Sequence, residues 1–162
     1  MKYLVLALIL VSANTYADSF TDNSYKGVKV GMSVAEAMKI LTNYKNTQAD
    51  YEPGGSCYYL EAKEARQSPA FMILNGKVAR IDNYGDKSVT TREGVGIGSS
   101  KADVLKAYQT VTVEPHPYMT PEGEYLIIRL KNGLGIIFET HHDIVTSFRL
   151  GDESIRYIEG CA

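Results

Sequence analysis

The chain has 162 residues, 17 of them basic and 19 acidic, with a formal net charge of −2. No basic run occurs along it, so nucleic acid and anionic lipid surfaces, which are gripped through clustered Lys and Arg, are poor candidates as partners. About 145 residues remain beyond a leader of 17, enough for one domain or two small ones.

The chain opens MKYLVLALILVSANTYA. Lys2 precedes an apolar run over residues 3–11, and Thr15-Tyr16-Ala17 ends the stretch with a small-x-small site. This pattern predicts a signal peptide over residues 1–17, cleaved after Ala17; the run is too short to cross a bilayer. No later run is long and apolar enough to do so. The expected location is a bacterial periplasm or the space beyond it. The two cysteines, Cys57 and Cys161, are an even count in an exported chain, which suggests a disulfide. A free thiol or a metal ligand is the alternative, and the absence of a CxxC pair weighs against metal.

Beyond the leader the chain repeats. Sliding it by 67 positions lays residues 27–93 on 94–160 without a gap. Gly27, Val28, Gly31, Ser33, Ala35, Lys39, Tyr51, Tyr58, Phe71 and Val78 then meet identical residues. Each copy opens with an extended piece, 27–31 or 94–98. Ser33 followed by Glu36, and Ser100 followed by Asp103, are capping-box patterns that predict helix starts. Val34, Ala37, Met38 and Leu41 share one helical face, as do Val104, Leu105 and Tyr108.

Strands are predicted over 57–60, 70–74, 77–83 and, weakly, 87–92 in the first copy. In the second they are predicted over 125–131, 135–140, 144–150 and 154–159. Asn75-Gly76 marks a hairpin. Residues 42–56 and 109–124, with Pro, Gly, Asn and Thr, read as loops, the first with room for a short helix. The expected fold is α+β: a first unit over 18–93 and a second over 94–162, each a helix packed on a four-stranded antiparallel sheet.

The stretch GVGIGSSKADVLKAY, residues 94–108, has the glycines of a phosphate loop but not its order. A Walker loop needs Gly-Lys-Ser/Thr, and here Gly98 precedes Ser99-Ser100-Lys101. The equivalent first-copy segment keeps the capping box and lacks the lysine. The segment therefore reads as a fold element, and no cofactor is expected.

The segment VGMSVAEAMKIL, residues 30–41, resembles the Gly-Met-Ser/Thr-x-x-Glu/Gln-Val opening of the BamE (SmpA/OmlA) family and of the β-lactamase inhibitory protein family. IGSSKADVLKAY, residues 97–108, is a looser copy. The resemblance implies helix-then-sheet modules in tandem, and a concave sheet face that grips another protein or scaffolds envelope assembly. The lipid-anchoring cysteine of the first family is absent, and the cysteines number one per copy rather than two. No specificity residue aligns.

Candidate chemistry is sparse. His141-His142-Asp143 could bind metal, but Asp143 falls where Gly76 sits in the other copy, which reads as a hairpin tip. A metal-assisted hydrolase is the alternative reading, with His116, Glu139 and His141 as ligands. His116 sits in EPHPYMTPEGEY between prolines that hold it extended, a recognition-loop pattern with Tyr118. No G-x-S-x-G elbow is present. Asp82, Asp86, Asp152 and Glu153 read as solvated strand ends and turns. Ten tyrosines lie beyond residue 17, with no tryptophan. Tyr58, Tyr59, Tyr84, Tyr118, Tyr125 and Tyr157 fall on or beside strands and, with His116, are the candidate binding residues. Tyrosine suits protein and glycan surfaces, and equally suits ordinary sheet packing. The function expected is non-enzymatic binding of another envelope or secreted protein, as an inhibitor or assembly factor. A small-ligand or glycan binder is a further alternative.

Overall fold

The computed structural model describes residues 19–48, 54–64 and 68–161. Residues 1–17, read as a leader, and 49–53, part of the stretch 42–56 read as a loop with room for a short helix, lie outside the described residues. The strands are β1 (Ser19–Phe20), β2 (Ser24–Tyr25), β3 (Val28–Lys29), β4 (Tyr44–Asn46), β5 (Cys57–Ala62), β6 (Ala70–Leu74), β7 (Lys77–Asn83), β8 (Thr90–Thr91), β9 (Thr112–Pro115), β10 (Gly123–Arg129), β11 (Gly135–His141) and β12 (Ile144–Gly151). Two seven-residue helices, α1 (Val34–Ile40) and α2 (Lys101–Ala107), and a 3₁₀ turn (Glu153–Arg156) complete the described chain.

The expectation of two units, each with its own four-stranded sheet under its own helix, is overturned. The described protein is mostly β, and eight strands form one sheet in the order β4-β5-β6-β7-β12-β11-β10-β9. All the pairings in that sheet are antiparallel. The physical reason lies at β7 and β12. Each would otherwise end its half of the sheet with a row of open N–H and C=O groups, and buried backbone groups have to be paired. The two strands pair with each other, Asn83 opposite Phe148 through Arg80 opposite Gly151. Gly151 is required at this seam, because a Cβ there would lie 2.6 Å from the Ala79 carbonyl oxygen.

Three strand assignments also change. Of 87–92 only Thr90–Thr91 is a strand, and it pairs in parallel with β1, outside the main sheet. Residues 154–159 hold the 3₁₀ turn in place of a strand. The missing fourth strands are β4 and β9, inside the stretches read as loops; both are short edge strands with largely exposed residues.

The 67-residue offset is written into the hydrogen bonds. Ser33 accepts from the Glu36 N–H, and Ser100 from the Asp103 N–H, with the carboxylate bonding back in each case. The Gly31 and Gly98 amides donate to Val78 and Val145 carbonyls, and the Val34 and Lys101 amides to Gly76 and Asp143. The two hairpin tips take left-handed backbone, Asn75-Gly76 at φ 51° and 75° and His142-Asp143 at φ 49° and 61°. That is the geometry of a tight two-residue hairpin turn. A bulge interrupts each hairpin at the same place, after Met72 and after Glu139. Phe71 faces Ile81 and Phe138 faces Phe148 at matching positions.

The offset slips by one in the preceding strands. Tyr59 pairs with Met72, and Tyr125, not Leu126, pairs with the matching Glu139. A one-residue slip turns every side chain to the other face of the sheet.

On the first face the helices and β1–β3 cover a core that includes Phe20, Tyr25, Leu60, Phe71, Phe138 and Phe148. Its rings touch in series, Phe20–Phe148 at 4.9 Å between centroids and Phe138–Phe148 at 5.5 Å. A fully buried ring of this kind contributes about 1.5–3 kcal/mol. The second face carries a smaller apolar cluster of Tyr125, Ile127, Ile137 and Ile155. The chain end, residues 153–161, crosses this face as a strap, and Cys161 is disulfide-bonded to Cys57 of β5, Cα–Cα 5.3 Å.

Candidate functional site

The second face is where charge enters the sheet. In β7 the alternation places Arg80 and Asp82 on one face, two residues apart. Both side chains are buried, Asp82 fully so. Arg80 Nε donates to Asp82 Oδ2 at 3.0 Å, and Arg149 lies directly opposite Asp82 on β12. Asp82 and Arg149 are also partners at the 67-residue offset, so the local twofold of the sheet passes between them. Burial pushes the Asp82 carboxyl up, against the pull of Arg80 and Arg149. Burial opposes the charge on Arg80, and Asp82, with Tyr59 and Tyr84, outweighs it and holds the guanidinium protonated. The pair is ionic, since two guanidiniums face one carboxylate and arginine does not titrate in the ordinary range.

The remaining donors of the two arginines hold the strap. Arg80 Nη1 donates to the Ser154 carbonyl at 2.9 Å and the Tyr157 carbonyl at 2.8 Å. Arg149 Nε donates to the Ile155 carbonyl at 2.6 Å. Arg149 Nη1 meets Glu139, and its guanidinium lies over the Tyr125 ring, 5.1 Å from the centroid. The Tyr59 hydroxyl lies 2.8 Å from Arg80 Nη2. Gly160 closes over this pair: a Cβ there would stand 2.3 Å from the Tyr59 oxygen.

His116 is buried beside Glu139, Nε2 to Oε2 3.4 Å. Its Nδ1 accepts the Tyr118 amide at 3.1 Å, so Nε2 carries the hydrogen aimed at Glu139. The His116 ring meets Tyr125 edge-on at 4.8 Å. Glu139 is thus shared between Arg149 and His116. His141 goes instead to the hairpin tip, its ring tilted at 46° to that of His142, centroids 4.2 Å apart. Among the described residues no group of three or more His, Cys, Asp or Glu is placed to hold a metal ion.

The candidate tyrosines divide. Tyr58 is buried in the first-face core, and Tyr59 and Tyr125 are buried on the second face. Tyr84, Tyr118 and Tyr157 are 56%, 66% and 48% exposed. Tyr157 belongs to the strap, and Tyr118 and Tyr84 reach it or its Arg80 anchor through their hydroxyls. The Tyr84 ring faces solvent while its hydroxyl turns inward, 3.4 Å from Arg80 Nη2, and burial of that oxygen beside Asp82 pushes its pKa up. Tyr118 donates to Glu159 of the strap at 2.7 Å, which raises the Tyr118 pKa. Tyr157 lies on the strap with exposed Ile158 beside it.

Arg80 and Arg149 carry the face yet do not stand out in the sequence reading, and Asp82 is corrected from a solvated strand end to a fully buried ion. The available signal was Lys77–Asn83 itself, with opposite charges two apart inside an apolar strand. A separate open cleft of about 700 Å³ lies on the other side, lined by residues that include Arg92, Tyr108, Arg129 and Asn132.

No protein-family profile and no curated protein matches the chain. Among solved structures, the chain is similar to an extracellular protein containing an SCP domain from Bacillus anthracis str. Ames. The TM-score is 0.53 at 10% identity, over 76% of this chain and 44% of that one. The chain therefore spans less than half the length of that protein, and the likeness is one of fold. No helix among the described residues is long and apolar enough to cross a membrane.

Proposed function

We propose that this is an exported, non-enzymatic protein-binding module, acting as an inhibitor of another envelope or secreted protein or as an assembly factor, and docking through the strap face. The observation that carries the reading is the patch of exposed Tyr84, Tyr118, Tyr157 and Ile158 at the strap, whose own backbone is fixed by buried arginines and a disulfide. Aromatic side chains on a rigid frame bind with little ordering cost, which is how hot spots are built. Export is supported by the leader-like segment, the disulfide and the extracellular nature of the similar structure. The likeness of residues 30–41 to the BamE and β-lactamase inhibitory protein families points the same way.

The test is capture from envelope and secreted fractions by wild-type protein and by Tyr84→Ala/Tyr118→Ala/Tyr157→Ala, followed by reconstitution with the purified partner. Loss of the complex in the triple variant is expected. Equal capture by both, or reproducible substrate turnover by the pure wild-type protein, defeats the reading. A second reading, a small-ligand binder, rests on the cleft at Tyr108 and Arg129, whose volume is within the usual range for ligand sites.

A further inference from the structure

We infer that the Cys57–Cys161 disulfide is a redox latch on the strap: reduction releases residues 156–161 from the second face, leaves the sheet folded, and so withdraws the docking surface. The part of this that concerns docking rests on the function proposed above. The release itself does not.

The geometry separates the strap into two parts. Residues 154 and 155 are buried, with Ile155 in the second apolar cluster and its carbonyl held by Arg149. From Arg156 to Glu159 every residue is exposed. Among the described residues, what holds that stretch without the disulfide is one bond from the Arg80 side chain to the Tyr157 carbonyl, the Tyr118–Glu159 contact, an exposed Arg156–Glu114 pair and two turn hydrogen bonds. The Tyr118–Glu159 and Arg156–Glu114 contacts are exposed and contribute little net, and the single charge-assisted bond from Arg80 stands against the conformational entropy of six residues. The covalent tie is therefore decisive for this segment. It is not decisive for the sheet, whose large core lies on the other face.

Both cysteines are partly exposed, so a dithiol can reach them. Thiolate attack gives a mixed disulfide, and the second thiol resolves it. Two electrons and two protons convert Cys57 and Cys161 to thiols while the dithiol becomes a disulfide. Release lifts Gly160 from the Tyr59–Arg80 pair and frees the donor that Arg80 spends on Tyr157, while its bond to Ser154 remains. Tyr157 and Ile158 leave the surface, and Tyr118 loses its anchor on Glu159.

The experiment is hydrogen exchange with mass spectrometry on the whole protein, oxidised and in excess dithiothreitol, with thiol alkylation verifying reduction. Exchange at residues 156–161 is expected to rise about tenfold or more on reduction, with β6, β7 and β10–β12 unchanged. The Cys57→Ser/Cys161→Ser variant is expected to match the reduced protein without any reductant. Unchanged protection of 156–161 after full reduction overturns the latch. So does loss of protection across the whole sheet, which would make the disulfide a global staple. Failure of the docking reading shows elsewhere, as unchanged capture by the triple tyrosine variant, and leaves the exchange result standing.

Discussion

Replacing Asp82 by alanine removes the one carboxylate that faces both Arg80 and Arg149 at the centre of the sheet. Asp82 is fully buried, and the Arg80 and Arg149 side chains are 1% and 3% exposed. Taking one partner from a buried ion pair leaves an uncompensated charge and costs about 3–5 kcal/mol. Arg80 keeps the Ser154 and Tyr157 carbonyls and the Tyr59 hydroxyl as acceptors, which places the loss at the low end, about 3 kcal/mol. In a protein of this size that lowers Tm by about 10 °C. The assay is thermal and urea unfolding followed by circular dichroism, with the disulfide intact. The exposed Arg156–Glu114 pair serves as reference, since Glu114→Gln is expected to cost under about 1 kcal/mol. A Tm for Asp82→Ala within about 2 °C of wild type would refute the assignment of Asp82 as the hub of the second face.

Gly151→Ala pushes a Cβ into the Ala79 carbonyl at the β7–β12 seam, and overpacking there is expected to cost about 1–3 kcal/mol in urea denaturation. Phe138→Ala empties a fully buried site between Phe148 and Tyr108, with an expected loss of about 3–5 kcal/mol by the same method. The Ser33 and Ser100 hydrogen bonds hold the Glu36 and Asp103 carboxyls below their ordinary values. Depressed carboxyls stabilise the fold above their unfolded pKa values of about 4 and lose that contribution as pH falls through the folded values. Glu36→Gln/Asp103→Asn is therefore expected to flatten the acid limb of stability below about pH 4, as read by unfolding at a series of pH values. An unchanged acid limb contradicts the capping geometry.

Local chemistry was legible in the sequence where one short segment contains all the interacting groups. Serine followed three residues later by a carboxylate marks both helix starts, and Asn75-Gly76 marks a hairpin tip, because the donor, the acceptor and the permissive backbone are neighbours. The pairing of Cys57 with Cys161 followed from the leader-like opening and an even count. The rest depends on groups far apart in the chain. β4 and β9 are short edge strands with exposed, polar residues, and nothing local distinguishes Tyr44-Lys45-Asn46 from a loop. The joining of the halves into one sheet is decided by which edges meet, and Gly151 alone does not announce it. Residues 154–159 alternate like a strand, but the side chain of Asp152 caps the Ser154 amide and turns the chain into a 3₁₀ helix. Tyr58 and Tyr125 align in sequence yet point to opposite faces, because the register slips by one residue between the copies. Asp82 looked solvated because its partner on the neighbouring half, Arg149, is 67 residues away.

The most direct measurement of whether the strap face docks a protein is site-specific photocrosslinking in the producing cell, with a photoreactive phenylalanine analogue placed at Tyr157 or, as reference on the helix side, at Ile40. One discrete heterologous adduct is expected from position 157, identified by mass spectrometry, and none from position 40. No adduct at 157, or the same adducts from both positions, would contradict docking through the strap face.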